Sequence, residues 1–297
     1  MFNWLTDKKG GRKDVALVLS TGGARGLAHI GAIDQLQEMG YHIHSVAGTS
    51  MGALVGGMYA AGRLEDFKKW MMTIDRKKVL SLLDFSFSLN HIVKGDRIIN
   101  AMMEVVPDVK IEDLDIPYCA VATDVVTGNE VVFNKGSLYE AIRASISLPL
   151  FFDPVKSNDK ILVDGGLVNP LPLNRVKRQK DDLLIGVNVS GHDYKGQVEL
   201  RKILREQSEK SRVVALLNRF LPEDRDMNYY TLLNRSTSIM INRNAQQAIK
   251  ITPPDILVDI PMNRYDTFDF DKYERLYAIG RNKAKKAVEH FLAKKDK

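Results

Sequence analysis

Two kinds of hydrophobic pattern alternate at the start of the chain. The runs "DVALVLS" (14–20) and "IHSVAG" (43–48) are short, apolar and rich in β-branched residues, a pattern typical of buried strands. The runs "LAHIGAIDQLQEM" (27–39) and "MGALVGGMYAAG" (51–62) follow them with helical spacing. The order strand, helix, strand, helix predicts a parallel sheet covered by helices.

The same patterns continue along the rest of the chain. Further strands are predicted in "YCAVATDV", "EVVF", "KILVDGG", "DLLIGVNV" and "DILVDI", and further helices in "SLYEAIRASIS" and in the run from Asp271 onward. Residues 64–106 and the basic stretch after Ser190 are also predicted to be mostly helical. Because no repeat or low-complexity linker divides the sequence, we expect an N-terminal extension (1–13) and a single α/β domain (14–297) with a helical insertion.

The composition is that of a soluble globular protein, with 44% hydrophobic and 27% charged residues. No apolar run approaches the roughly 18 residues of a membrane-spanning helix, and the N-terminus lacks the pattern of a secretory signal. The single cysteine, Cys119, lies in an apolar run and has no partner for an intramolecular disulfide. These features predict a cytoplasmic protein and are compatible with peripheral contact with a membrane.

The net charge of +6 favours anionic partners. Two basic stretches, "NRVKRQKDD" (174–182) and the C-terminal "RNKAKKAVEHFLAKKDK", suit either anionic lipid headgroups or an ordinary solvated surface. The basic residues are not interleaved with aromatic residues in a recognisable motif, so nucleic-acid binding is not expected.

The motif "GTSMG" (48–52) lies between a predicted strand and a predicted helix. It has the pattern of a nucleophile elbow, in which Gly48 and Gly52 leave room for neighbouring backbone and Ser50 presents its hydroxyl. The amide-rich start of the following helix favours developing negative charge. The alternative is a tight strand-to-helix turn with no catalytic function.

Two further glycine motifs follow predicted strands. "TGGARG" (21–26) is neither a dinucleotide fingerprint nor a P-loop, but such a loop can direct backbone N–H groups at an anion. Arg25 suits bracing of this loop, contact with an anionic substrate, or an exposed position. "VDGG" (163–166) places Asp164 at a strand end, where sheets of this class hold their sites, although aspartate also commonly starts a turn.

A catalytic serine needs an adjacent base. In the chain order of α/β-hydrolases the histidine follows the acid, which leaves His192 in a polar loop and His290 in a basic helix. Neither context favours a catalytic histidine, and His29 is expected to be packed inside the first helix or to support the site. The sequence therefore predicts that Asp164 itself contacts Ser50.

These motifs, in this order, resemble those of the patatin-like phospholipase family. "GGARG" resembles its oxyanion loop, "GTSMG" its nucleophile elbow and "DGG" its aspartate motif, while "ASISLPLFFDPV" (144–155) resembles its block from an alanine–serine pair to a proline. The resemblance covers at least residues 14–175. It implies a three-layer α/β/α sandwich with a mainly parallel central sheet.

The resemblance also implies a function. Ser50 would be the nucleophile and Asp164 the base in the hydrolysis of phospholipid or lysophospholipid esters through an acyl-serine, without a metal or cofactor. The oxyanion would be bound by backbone amides of the glycine-rich loop, Gly22, Gly23, Ala24, Arg25 and Gly26. The elbow and the dyad would be supported by Gly48, Gly52, Gly165 and Gly166. An acyltransferase with the same acyl-serine and a non-catalytic lipid-binding protein are the alternatives.

The apolar segment 64–106 allows three interpretations. It suits the lining or cover of an acyl pocket, ordinary core, or the surface of a homodimer. The sequence is compatible with a monomer as well as with a dimer.

Overall fold

The computed structural model describes residues 13–74, 78, 96–149, 151–191, 229–260, 265, 267 and 269–295. The strands are β1 (Lys13–Leu19), β2 (Tyr41–Thr49), β3 (Tyr118–Asp124), β4 (Glu130–Phe133), β5 (Val155–Ser157), β6 (Lys160–Asp164), β7 (Leu183–Asn188) and β8 (Ile256–Asp259). The α-helices are α1 (Ala28–Glu38), α2 (Met51–Ala60), α3 (Leu64–Met72), α4 (Asp96–Met103), α5 (Leu138–Ser145), α6 (Tyr229–Ile251) and α7 (Tyr273–Lys295). Short 3₁₀ helices span Gly23–Leu27, Ile111–Asp113, Gly165–Leu167 and Phe270–Lys272.

The eight strands form one sheet in the order β5-β6-β3-β2-β1-β7-β8, with β4 also paired to β3. Strands β3, β2, β1, β7 and β8 run parallel, whereas the pairings of β3 with β4, β3 with β6 and β5 with β6 are antiparallel. The expected mainly parallel α/β fold is confirmed, with one antiparallel side. The short strand β5 was not predicted from the sequence, because two of its three residues are exposed and no apolar run marks it.

Alternate residues of β1 contribute to two hydrophobic cores on opposite faces of the sheet. Val15, Leu17 and Leu19 pack in a large core with residues of α1, α2, α3 and α7, whereas Ala16 and Val18 pack in a smaller core on the other face. Residues of the segment 171–176 and of α6 cover this second core. The sheet therefore forms the middle layer of a three-layer sandwich, as the resemblance implied.

The C-terminal helix α7 packs closely along α1. A Cβ atom added at Gly280 would lie 1.9 Å from the carbonyl oxygen of Ala28, and one added at Gly31 would lie 2.0 Å from that of Tyr277. Each helix thus presents a glycine where the backbone of the other approaches. Leu276 and Val288 of α7 are also fully buried. Helix α7 is therefore an integral part of the outer layer.

Strands β2 and β6 meet end to end on β3. Strand β2 runs parallel to β3 and ends with Thr49 paired to Val121, while β6 runs in the opposite direction and ends with Asp164 paired to Ala122. The next residue, Gly165, lies where a Cβ atom would be 3.0 Å from the Thr49 side chain. The residues that follow β2 and the last residue of β6 are therefore brought together at one point of the sheet.

Cys119 lies inside β3 and is 6% exposed. Its thiol approaches the carbonyl oxygen of Arg175 at 3.5 Å, and burial raises its pKa to about 12. The thiol is therefore protonated and shielded at neutral pH.

Parts of the predicted helical segments lie outside the described residues. These parts are 75–77 and 79–95 in the segment 64–106, together with residues 192–228 after Ser190. Within the first segment, α3 and α4 are helical as predicted. No helix in the described part of the chain combines the length and the apolar character needed to cross a membrane.

The meeting of β2 and β6 makes Gly165→Ala a sensitive test of the fold. The new methyl group would lie 2.2 Å from the carbonyl oxygen of Val121, which is backbone and cannot rotate away. We expect the free energy of unfolding to fall by about 3 kcal/mol in urea denaturation, the upper end of the usual cost of overpacking. Gly62→Ala is the control, since Gly62 also has a special backbone conformation (φ +67°) but open space around it; it should cost about 1 kcal/mol. Equal losses in the two variants would contradict the steric explanation.

Candidate active site

Ser50 occupies a strained turn between β2 and α2. Its backbone angles are φ 56° and ψ −123°, a region that residues with a side chain rarely adopt. The residue is 7% exposed and lies at the N-terminal end of α2. In this conformation the serine side chain projects from a sharp strand-to-helix turn, which is the geometry that a nucleophile elbow requires.

The two glycines that flank Ser50 are required by close backbone packing. A Cβ atom at Gly48 would lie 2.3 Å from the carbonyl oxygen of Gly52. A Cβ atom at Gly52 would lie 2.2 Å from the carbonyl oxygen of Leu19 at the end of β1. The start of α2 therefore lies directly against the ends of β1 and β2, and only glycine fits at either position.

Asp164 is a buried carboxylate within hydrogen-bonding reach of the Ser50 hydroxyl. It is 2% exposed, and its Oδ1 accepts a hydrogen bond of 2.7 Å from the backbone N–H of Gly166. Burial raises the pKa of Asp164 to about 6, while the interactions with Ser50 and Gly166 act in the opposite direction. The carboxylate is thus ionised at neutral pH yet basic enough to accept a proton.

The end of α5 connects the two sides of the site. The Ser145 hydroxyl accepts a 2.8 Å hydrogen bond from the backbone N–H of Ser50 and donates one of 2.6 Å to the carbonyl oxygen of Val121. Two residues later, the carbonyl oxygen of Ser147 accepts a 2.9 Å bond from the backbone N–H of Asp164. Residues 145–147 therefore hold the elbow and the aspartate at a fixed separation.

The glycine-rich loop divides into residues that border the site and residues that do not. Gly22, Gly23 and Arg25 line the same cavity as Ser50. The Arg25 side chain also donates through Nε to the carbonyl oxygen of Gly22 at 2.9 Å, so it braces the loop, one of the functions considered from the sequence.

The remaining two loop residues, Ala24 and Gly26, do not line the cavity. The backbone N–H of Ala24 donates to the carbonyl oxygen of Thr267 at 2.8 Å, so in this structure it is already bonded. Gly26 packs against Met51, and a Cβ atom there would lie 2.2 Å from the Met51 side chain. Three of the five predicted oxyanion residues thus line the cavity that contains Ser50.

The cavity next to Ser50 and Asp164 has a volume of about 140 Å³ and a mostly apolar lining. Residues of α3 and α4 form one wall, with Phe67, Met71 and Met102 among them. These three side chains also belong to the large hydrophobic core. The described parts of the segment 64–106 therefore line a pocket and contribute to the core at the same time.

The histidines of the described residues do not contact Ser50. The Nε2 atom of His29 is hydrogen-bonded to the carbonyl oxygen of Ser20 at 2.9 Å, and burial lowers its pKa to about 4, which keeps the ring neutral. His42 and His44 bond to Asp14 and Asp182, respectively. His290 is exposed on α7, and the other histidine considered, His192, lies outside the described residues.

Comparisons with known proteins agree with this arrangement. A sequence model of the family described as patatin-like phospholipase matches residues 17–176, a range that includes Ser50 and Asp164. The chain belongs to the patatin-like phospholipase family. The resemblance inferred from the motifs is therefore confirmed, and with it the assignment of this patatin-like protein as a lipid hydrolase.

Similar sequences extend beyond the region matched by the family model. An NTE family protein of Mycobacterium tuberculosis is 34% identical, over 93% of this chain and 92% of its own. The lysophospholipase NTE1 of Candida glabrata is 30% identical over 90% of this chain, which spans 15% of that much longer protein. Among solved structures, VipD from Legionella pneumophila aligns with a TM-score of 0.47 and 14% identity, over 96% of this chain and 69% of that one.

Two groups of site residues were not identified from the sequence. Ser145 lies in the block "ASISLPLFFDPV", which was noted only as a family feature. The cavity residues Thr237, Ser238 and Ile241 belong to α6, which carries no motif. Ser145 could have been identified from the sequence as a polar residue at the end of the apolar face of a predicted helix.

The function of the Ser145 hydroxyl in positioning the elbow can be tested with Ser145→Ala. Loss of the hydroxyl removes the acceptor for the Ser50 N–H and the donor to Val121, at a cost of about 1–3 kcal/mol for a buried unsatisfied group. We expect kcat to fall about tenfold or more in an ester hydrolysis assay, with circular dichroism unchanged.

Ser147→Ala is the matched control for this variant. Its hydroxyl bonds to Arg143 and to neither Ser50 nor Asp164, and the carbonyl that holds Asp164 is retained. Equal losses of kcat in the two variants would show that the Ser145 hydroxyl has no special function in positioning the elbow.

Proposed function

We propose that this protein hydrolyses carboxylic ester bonds of phospholipids or lysophospholipids through a Ser50–Asp164 dyad and an acyl-serine intermediate. The observation that carries the proposal is the pairing of a strained serine with a buried, basic carboxylate in the wall of an apolar cavity. The similarity to the patatin-like phospholipase family and to yeast lysophospholipases supports a lipid substrate.

The first half of the reaction forms the acyl-enzyme. Ser50 Oγ attacks the ester carbonyl carbon while Asp164 accepts the hydroxyl proton, and the carbonyl oxygen becomes an oxyanion. Backbone N–H groups of Gly22, Gly23 and Arg25 are the candidates to stabilise this charge, since these residues border the cavity. As the tetrahedral intermediate collapses, the ester C–O bond breaks and Asp164 returns the proton to the departing alcohol.

The second half of the reaction releases the fatty acid. A water molecule gives a proton to Asp164 and attacks the acyl carbon, and a second tetrahedral intermediate forms. Its collapse breaks the bond to Ser50 Oγ, which regains the proton from Asp164. One residue can serve as base and acid in both halves because a pKa of about 6 lies close to neutral pH.

The apolar cavity suits the acyl chain of the substrate. Its lining is supplied mainly by side chains such as Leu54, Phe67, Trp70 and Ile98. Burial of each methylene group contributes about 0.8 kcal/mol, so a fatty acyl chain gains substantial binding energy here. The polar headgroup would then remain near the outer end of the cavity.

The proposed function is tested by a hydrolysis screen over diacyl phospholipids, lysophospholipids and neutral esters. We expect release of fatty acid from the phospholipid or lysophospholipid group and loss of at least about 1,000-fold in Ser50→Ala, because the nucleophile is removed. Vesicle or micelle binding by Ser50→Ala should remain. Hydrolysis at an undiminished rate by Ser50→Ala would exclude the acyl-serine, and release of acyl groups only to an added alcohol would favour the acyltransferase.

The buried carboxylate predicts that Asp164→Asn changes the dependence of the protein's stability on pH. The raised pKa means that ionised Asp164 destabilises the fold: the penalty is absent below the unfolded pKa of 3.8 and complete above about 6. The shift corresponds to about 3 kcal/mol, so Asp164→Asn should unfold at a higher temperature than the parent near pH 8, with a smaller difference near pH 4.

The same group should control catalysis. In the parent, kcat/KM should rise with pH to a plateau with a midpoint near 6, because the base must be ionised. Asp164→Asn should lose most turnover despite its greater stability at high pH. A variant with normal kcat and an unchanged pH profile would remove Asp164 from the mechanism.

A further inference from the structure

Helix α6 has one continuous exposed face. Its exposed positions recur at intervals of three and four residues, so they form a single stripe along the helix. We call this stripe the outer face of α6; it consists of Leu232, Arg235, Ser236, Ile239, Met240, Arg243, Gln247, Lys250 and Ile251.

Four large apolar side chains lie on this outer face. Leu232 is 47% exposed, Ile239 41%, Met240 55% and Ile251 79%. Isolated exposed apolar residues are common on protein surfaces, but a row of them along one helix marks a surface that contacts an apolar partner.

All charged side chains of α6 are positively charged. The sequence of α6 contains no aspartate or glutamate, although the whole chain has 37 acidic residues. Arg243 and Lys250 lie on the outer face between the apolar residues, as does Arg235. Apolar residues combined with Lys and Arg on one exposed helix face are typical of helices that lie in the interface of an anionic membrane.

The opposite face of α6 forms part of the candidate active site. Thr237, Ser238 and Ile241 line the cavity beside Ser50, and Ala245 is buried in the second core. The outer face is therefore about one helix diameter, roughly 10 Å, from the cavity. A membrane in contact with this face would lie next to the site that takes an acyl chain.

Where the structure describes them, the two basic stretches noted in the sequence do not combine unpaired charge with exposed apolar side chains. Arg175 and Arg178 are engaged in ion pairs with Glu130 and Asp182, respectively. Helix α7 carries exposed lysines, but none of the large exposed apolar side chains of the described residues lies on it. Charge and apolar exposure coincide on the outer face of α6.

We propose that the outer face of α6 docks the protein onto the surface of a membrane that contains anionic phospholipid. The apolar side chains enter the headgroup region, and the Arg243 and Lys250 side chains contact the phosphate groups. The inference deepens the proposed function, on which it rests for the lipid nature of the substrate.

The test measures binding to vesicles with the Ser50→Ala protein, so that hydrolysis does not alter the vesicles. Co-sedimentation is compared for phosphatidylcholine alone and for phosphatidylcholine mixed with phosphatidylglycerol. We expect binding to the mixed vesicles. Replacement of two charges in R243Q/K250Q should weaken it by about 30-fold, about fivefold for each charge, and I239Q/M240Q should weaken it by at least about tenfold.

Control variants carry substitutions to glutamine on other surfaces. Lys285→Gln with Lys286→Gln removes two exposed charges from α7. Val109→Gln changes an apolar residue of 38% exposure that shares a surface pocket with Tyr59 and Gly62, near the end of α2 remote from Ser50. Both controls should bind the mixed vesicles within about twofold of the Ser50→Ala protein, and thermal unfolding should verify the fold of every variant.

Three results would overturn the proposal. The first is equal binding by the α6 variants and the controls. The second is equal binding to neutral and mixed vesicles, or to neither. The third is a concentration-dependent dimer in sedimentation that I239Q/M240Q abolishes without any vesicle binding, which would assign the face to a second copy of the chain. If vesicles are not bound but the enzyme with Ser50 still hydrolyses dispersed lysophospholipid, docking fails while the proposed function stands.

Discussion

The meeting of β2 and β6 at a single point of β3 is the constraint on which the site depends. A parallel strand and an antiparallel strand occupy successive lengths of β3, and they end opposite Val121 and Ala122. No side-chain interaction has to bring Ser50 and Asp164 together, since the backbone ladder already does so. The Ser145 hydroxyl then bonds to Val121 and to the Ser50 backbone, so it fixes the elbow to the strand that aligns both ends.

The site combines two features that oppose folding. Ser50 adopts a backbone conformation that costs of order 1–3 kcal/mol, and Asp164 is a carboxylate removed from water. The strained turn is held by close backbone packing that admits only glycine at positions 48 and 52, and the carboxylate is partly compensated by its interactions with the Gly166 N–H and Ser50. These two destabilising features place a hydroxyl in the wall of the cavity next to a carboxylate with a pKa of about 6, the combination on which the proposed mechanism depends.

The sequence was sufficient for the local parts of this arrangement. Gly48, Ser50 and Gly52 lie within five consecutive residues, so their turn could be predicted from steric rules, and a carboxylate at the end of a strand was equally visible. The direction of β6, however, could not be predicted from the sequence: β6 is antiparallel to β3, and its last residue, Asp164, nevertheless lies beside the carboxyl end of β2. The bond from Ala24 to Thr267 was also inaccessible, because it joins residues far apart in the chain and no pattern records it.

The buried thiol in β3 has a practical consequence. Cys119 is the single cysteine of the chain, and its high pKa and low exposure make it unreactive toward thiol-directed probes in the folded protein. A cysteine introduced elsewhere on the surface would therefore take up a fluorophore or spin label selectively, without prior removal of the native one. Site-specific labelling for spectroscopy can therefore start from the natural sequence.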